Sequence, residues 1–238
     1  MSMHLDLVIP VYNEDEIIKV VVKDWISVLS ELNINYRINL YNDGSTDTTI
    51  DVLKTIESHY PDVMRVTDKK NSGHGPTILR GYLESLDSDW IFQVDSDNEM
   101  KAHHFEEFWL KKDSYDFVIG KRVRRDSPKF RKLMTYISYL VVAIMYGKGV
   151  RDVNCPYRLM RTCVFKDVFT SIPKDTFAPN IMIAGMAAKK KMKIKQYDVQ
   201  FETRITGVNS LSSDVLKLLE ISVKSFFEII SYARKNKL

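Results

Sequence analysis

Apolar residues run almost unbroken from Leu5 to Val11, interrupted only by Asp6, and stop at Tyr12-Asn13-Glu14. A short apolar run closed by polar turn residues predicts a buried strand. The period then changes, with Ile17, Val21, Trp25, Val28 and Leu32 recurring at helical spacing between Glu16 and Leu32. Tyr36 to Tyr41 reads as a second strand, ended by the turn-rich Asn42-Asp43-Gly44-Ser45-Thr46-Asp47, which also caps a helix running to about His59. A third strand over Val63 to Thr67, a third helix over Gly75 to Ser85, a fourth strand opening at Trp90 and a fifth over Phe117 to Gly120 follow. This βαβαβ order predicts an α/β fold, a mostly parallel sheet flanked by helices. Ligands of such sheets bind at the carboxyl ends of the strands. Four of those ends carry Tyr12-Asn13-Glu14, Asn42-Asp43-Gly44-Ser45, Asn71-Ser72-Gly73-His74-Gly75 and Asp95-Ser96-Asp97, so polar chemistry converges on one rim.

After Gly120 the pattern shifts. Basic residues lead into an apolar helix near Leu133 to Tyr146, then Asp152 to Met160 reads as a loop entering a strand. A short helix around Ile181 to Ala188 precedes a strand over Lys193 to Phe201. From Leu211 to about Lys235 the chain is helical in period, with Val215, Leu219, Val223, Phe226 and Ile230 on one side and mostly charged residues on the other. The expected organisation is a catalytic domain over residues 1–210 and a C-terminal amphipathic helix over 211–238.

The chain's 238 residues, 45% hydrophobic and 28% charged, suffice for a full core with a charged surface. The net charge of +4 is mild, but Lys121 to Lys132 and Lys189 to Lys195 are locally basic, which suits phosphates, an anionic membrane surface or a solvated face. No nucleic-acid partner is expected. Cys155 and Cys163, the two cysteines, imply a reducing compartment and no disulfide framework. The N-terminus lacks signal-peptide features, and the Leu133 to Tyr146 run, 14 residues long, falls short of the roughly 20 that a membrane span requires.

The acids Asp95, Asp97 and Glu99 alternate, so an extended chain would point all three one way. Like charges gathered there suit a hard divalent cation, Mg²⁺ or Mn²⁺, shared with substrate phosphates. A solvated acidic turn after a buried strand is the alternative.

Taken in order, Val8-Ile9-Pro10-Val11-Tyr12-Asn13-Glu14, Asn42 to Asp47, Asn71 to Gly75, Asp95-Ser96-Asp97, Gly120-Lys121-Arg122 and Asn154 to Met160 resemble the motifs of family-two, GT-A-type glycosyltransferases. Within them the chain is similar to the dolichol-phosphate mannosyltransferase-like, polyprenyl-phosphate group. The resemblance covers about Leu5 to Leu211. It implies a nucleotide pocket lined by Pro10, Tyr12, Glu14 and Asp43, with Gly73 and Asp95 also at the donor. It implies a cation held by Asp97, with Glu99 and Asp95 as further ligands. Arg122, Arg131 or Lys132, and Arg204 resemble the residues that clamp phosphate oxygens, with Asp97, Arg122 and Arg204 carrying catalysis. Asn42, Glu99 and Leu211 depart from the residues usual at their positions.

Acceptor class turns on a general base, because an alcohol is a poor nucleophile at neutral pH. Many relatives supply it from a Glu-Asp pair at a helix start; the matching region here, Asp175 to Ile181, has no such pair, though Asp175 stands at its edge. A phosphate acceptor is already ionised and needs cations instead. The expected activity is therefore metal-dependent, inverting transfer from a UDP- or GDP-sugar to a polyprenyl phosphate, at the cytoplasmic face of a membrane touched by the apolar helices. The same donor chemistry on a saccharide hydroxyl in surface-polysaccharide assembly is the alternative. A non-catalytic nucleotide-binding relative, suggested by Asn42, Asn180 and Leu211, is the third reading.

Overall fold

The computed structural model describes the backbone of residues 4–123, 129–202 and 215–236, and the side chains of these apart from 129–135 and 215–222. Seven strands form one sheet: β1 (His4–Val11), β2 (Asn35–Asp43), β3 (Met64–Lys69), β4 (Trp90–Gln93), β5 (Phe117–Val123), β6 (Arg158–Arg161) and β7 (Ile194–Gln200). Their spatial order is β3-β2-β1-β4-β6-β5-β7. The pairs β1/β2, β1/β4, β2/β3 and β5/β7 are parallel, while β6 runs antiparallel to both β4 and β5. The expected mostly parallel sheet is thus present, with one reversed strand.

The helices are α1 (Ile18–Glu31), α2 (Thr49–His59), α3 (His74–Glu84), α4 (Phe105–Lys111), α5 (Lys129–Met145), α6 (Thr162–Ser171), α7 (Pro179–Lys189) and α8 (Val215–Lys235). Helices α4 and α6 are additional to those expected. Each is short, and α6 follows β6 with no intervening loop, so neither leaves a separate apolar period in the sequence.

Strand β4 divides the core, because successive strand residues face opposite sides of the sheet. Phe92 packs against Trp25 of α1, Phe105 and Tyr157, with ring centroids 4.7–5.2 Å away. Its neighbour Gln93 faces the other side, toward Tyr82 of α3 and Asn180 of α7. The one acid inside β1, Asp6, is fully buried and is matched in register by Arg37 of β2, whose Nη2 donates to it at 2.6 Å. That pairing explains how an otherwise apolar strand tolerates a carboxylate.

The C-terminal helix lies against the body of the protein. Tyr146 Oη donates to the Ile229 carbonyl at 2.8 Å, and the Ser171 and Tyr232 hydroxyls are 2.6 Å apart. Glu228 Oε2 accepts from Thr176 Oγ1 at 2.8 Å and from the Phe177 amide at 3.0 Å. Among the described residues, no helix is long and apolar enough to cross a membrane.

Candidate active site

The ends of β1 and β2 are fastened together. Asn13 takes a left-handed backbone, φ 54°, that asparagine tolerates better than most residues. Its amide donates to Ser45 Oγ at 3.0 Å, and its Oδ1 accepts from the Thr46 amide at 2.8 Å. The Glu14 amide donates to Thr49 Oγ1 at 2.8 Å. Pro10 and Glu14 are buried, and Tyr12 is half-buried beside them.

Asn42 is a hub of this turn. Its Oδ1 accepts from the Ser45 hydroxyl at 2.5 Å while its Nδ2 donates to Asp68 Oδ1 at 2.7 Å. An aspartate here would face Asp68 with no hydrogen to offer, so Asn42 suits its neighbour on β3.

Asp43, next along, shapes the glycine loop. Its Oδ1 accepts from the Ser72 amide at 2.8 Å and from Lys69 Nζ, and its Oδ2 from the Gly73 amide at 2.9 Å. Gly73 has φ 92°, open to glycine at little cost, and stands immediately before α3. Gly75 is required for another reason: a Cβ there would lie 2.4 Å from the Thr176 carbonyl oxygen. The first turn of α3 and the loop before α7 are therefore in backbone contact.

The acids after β4 do not continue as an extended strand. The strand ends at Gln93, and Asn98 turns the chain with φ 58°. The alternation that would have aligned Asp95, Asp97 and Glu99 is lost, and among the described residues no three histidine, cysteine or acidic side chains gather closely enough to hold an ion by themselves. Asp97 Oδ1 accepts from the Glu99 amide at 3.1 Å, and Asp97 and Asp95 are close enough for their charges to repel. Two half-buried carboxylates at a strand end fit a hard cation whose remaining ligands come from a diphosphate and water, rather than an all-protein cage.

Burial, assisted by the Asp97 charge, pushes the Asp95 carboxyl above its usual range; His74, Arg122 and a Gln93 hydrogen bond pull against that rise. His74 Nε2 stands 3.5 Å from Asp95 Oδ1, and Gln93 Nε2 donates to the same oxygen at 3.0 Å. Behind Gln93, its Oε1 accepts from Asn180 Nδ2 at 3.1 Å, and Tyr82 Oη donates to Asn180 Oδ1 at 2.8 Å. Tyr82, Gln93 and Asn180 are all buried.

Arg122 binds Asp152 through both ends of its guanidinium, Nε to Oδ2 and Nη2 to Oδ1, each at 2.7 Å. Burial alone would lower the Arg122 pKa, but the hydrogen bonds and charge of Asp152 raise it overall. The expected phosphate clamp thus has an internal carboxylate partner. Arg158 is fully buried and donates to the carbonyls of Cys155, Val153 and Asn180, tying the 153–155 loop to the start of α7. Burial lowers its pKa. The Cys155 thiol, also buried, is pushed up to about 12. Arg131 and Lys132 lie in the first turns of α5, with side chains outside the described residues, and Arg204 is outside them entirely.

Gln93, Tyr82 and Asp152 join the site without having been singled out, and His74 and Asn180, named only within the glycine loop and as a departure, join it too. The clearest sequence signal was Gln93, a polar residue closing an apolar strand two positions before an acid pair.

The family model for glycosyl transferase family 2 matches residues 6–169, more than half of the chain, from β1 through nearly all of α6. The chain belongs to glycosyl transferase family 2. Relatives within the reach of that family include dolichyl-phosphate beta-glucosyltransferase ALG5A of Trichomonas vaginalis, 23% identical over 237 residues that cover 91% of this chain and 73% of the relative. Another is the undecaprenyl-phosphate 4-deoxy-4-formamido-L-arabinose transferase of Photorhabdus laumondii, 24% identical over 219 residues. That match covers 91% of this chain but 65% of the relative, so this chain spans less than two thirds of that protein. Among solved structures, glucosyl-3-phosphoglycerate synthase from Mycobacterium tuberculosis, in complex with Mn²⁺, uridine diphosphate and phosphoglyceric acid, superposes with a TM-score of 0.69 at 16% identity, over 97% of this chain and 78% of that one. At that identity the likeness establishes the family-2 fold, the GT-A arrangement expected from the motifs.

Proposed function

We propose that this family-2 enzyme transfers a sugar, with inversion, from a nucleotide-diphosphate sugar to a polyprenyl phosphate. The observation that carries the acceptor class is Asn180. It stands at the start of α7, in the region where hydroxyl-directed relatives place a basic carboxylate, and it is a buried amide hydrogen-bonded on both sides. An amide cannot take a proton from an alcohol, and Asp175, the nearest acid in sequence, is exposed. An ionised phosphate needs no such base. The names of the relatives, directed at dolichyl and undecaprenyl phosphate, support the same class.

On the donor side, Asp97 and Asp95 would hold Mg²⁺ or Mn²⁺, with Glu99 beside them. A divalent cation bound there supplies charge to offset the departing diphosphate. Tyr12, Glu14 and Pro10 form the nucleotide wall, and Asp43 holds the Ser72-Gly73 backbone in shape beside it. Arg131, Lys132, Arg204 and Arg122 are assigned to the acceptor phosphate. Inversion follows from in-line attack opposite the leaving nucleotide, through an oxocarbenium-like transition state. The exposed Tyr136 and Ile144 of α5 and Val223 and Phe227 of α8 suit contact with a membrane surface, where such an acceptor resides.

Purified protein incubated with labelled UDP- or GDP-sugars, Mn²⁺, and either undecaprenyl phosphate or an oligosaccharide tests the assignment. Label should enter the lipid phosphate, with the anomer inverted, and Asp97→Ala should abolish the transfer. Label entering only the oligosaccharide rejects the acceptor class, and turnover that survives Asp97→Ala rejects the cation assignment.

A further inference from the structure

The polarity of the buried network behind Asp95 is fixed by its charged end. A carboxylate can only accept, so Gln93 must present its amino group to Asp95 Oδ1, 3.0 Å away. The Gln93 carbonyl oxygen is thereby turned inward, where it needs donors. Asn180 Nδ2 provides one at 3.1 Å, which leaves Asn180 Oδ1 to accept the Tyr82 hydroxyl at 2.8 Å. Tyr82 has a single hydrogen, and its longer 3.3 Å approach to Gln93 Oε1 is the weaker use of it. The backbone of Asn180 is held as well, its carbonyl accepting from Arg158 Nη1 at 2.9 Å. Gln93, Asn180, Tyr82 and Arg158 are all buried and Asp95 is half-buried, so behind Asp95 no bulk water can take over a lost partner.

We propose that Asn180 is a positioning residue for Asp95, fixing through Gln93 which carboxylate oxygen is presented to the donor's cation and diphosphate. This rests on the donor site assigned above and extends it: position 180, unable to act as a base on the acceptor, acts on the donor side instead. An aspartate at 180 would place a carboxylate on each side of Gln93. Whichever way the Gln93 amide then turned, one carboxylate would face its oxygen, and Asp95 would lose its fixed orientation.

The test is a double-mutant cycle read by calorimetric binding of UDP and of GDP, each with and without MnCl₂, at pH 8. Asn180→Asp should weaken Mn²⁺-dependent nucleotide binding about tenfold or more, as expected when a buried hydrogen bond becomes a repulsive contact. Binding without metal should stay within about twofold, a split that general loosening of the fold would not produce. In a Gln93→Met background, Asn180→Asp should cause no further loss, because the effect passes through Gln93. Tyr82→Phe, a milder change that keeps the ring in place, should give a loss of about threefold in the same metal-dependent arm. Undiminished Mn²⁺-dependent binding in Asn180→Asp, or an equal loss in the Gln93→Met background, overturns the inference. If wild-type protein binds neither nucleotide with Mn²⁺, the donor site and this inference fall together. If the cycle holds but sugar passes to a hydroxyl acceptor, the inference stands and only the acceptor class falls.

Discussion

Arg122 of β5 closes both arms of its guanidinium onto Asp152, with two 2.7 Å contacts and both side chains about nine-tenths buried. Removing one partner of a buried pair leaves an uncompensated charge, which costs about 3–5 kcal/mol. Asp152→Ala is therefore expected to lower unfolding free energy in urea by about that amount. Arg122→Lys, which keeps the charge but not the two-point geometry, should cost less. A change within about 0.5 kcal/mol for Asp152→Ala would show that the pair does not hold this edge of the site.

Asn42 and Asp68 make a second prediction. Asn42→Asp sets two carboxylates against each other where a 2.7 Å hydrogen bond now stands. A loss of about 1–3 kcal/mol is expected, recovered in large part by Asp68→Asn in the same chain. Equal stability of Asn42→Asp and wild type in thermal melts would sink the explanation given for this departure.

The raised pKa of Asp95 gives a pH signature with a definite sign. Between the unfolded carboxyl value of about 3.9 and the higher folded value, the native state binds more protons than the unfolded chain. Stability from this group therefore falls as pH rises through that window, and the penalty persists in full above it. Without metal or nucleotide, Asp95→Asn should melt higher than wild type at pH 7, and the gap should narrow toward pH 4. A melting difference that does not vary with pH contradicts the burial-driven shift.

Glu228 reaches from α8 to the loop before α7, and that loop's carbonyls press on Gly75. Glu228→Ala should cost about 1–3 kcal/mol by leaving the Thr176 and Phe177 donors without their acceptor. Hydrogen exchange should also quicken at residues 72–77, although these lie on a different segment. Unchanged exchange there would mean that the two loops are independent. Gly75→Ala, which forces a Cβ against backbone, should destabilise by about 1–3 kcal/mol in the same assay.

The mostly parallel sheet, the succession of strands and helices through β4 and the convergence of polar strand ends were legible in the sequence because each depends on local period and turn chemistry. The arrangement of the three acids was not. Alternation predicts a shared face only while the backbone is extended, and Asn98 ends that condition with a positive φ. Arg122 reads as a clamp in one dimension, since nothing in the spacing of residues 122 and 152 announces that they meet. The chain from Asp95 to Asn180 was equally hidden, as it joins β4, α3 and α7 across 87 positions between Gln93 and Asn180.

The reversal of a single strand has a geometric result. A parallel β6 would have delivered its leading loop to the far edge of the sheet, away from the carboxyl ends of β4 and β5. Running backwards, it begins where they finish, so Gln93 sits in register with Arg158 and the stretch around Asp152 to Tyr157 arrives at the catalytic rim. One inverted ribbon thereby brings residues 152–157 to the same rim as acids that precede them by more than fifty positions.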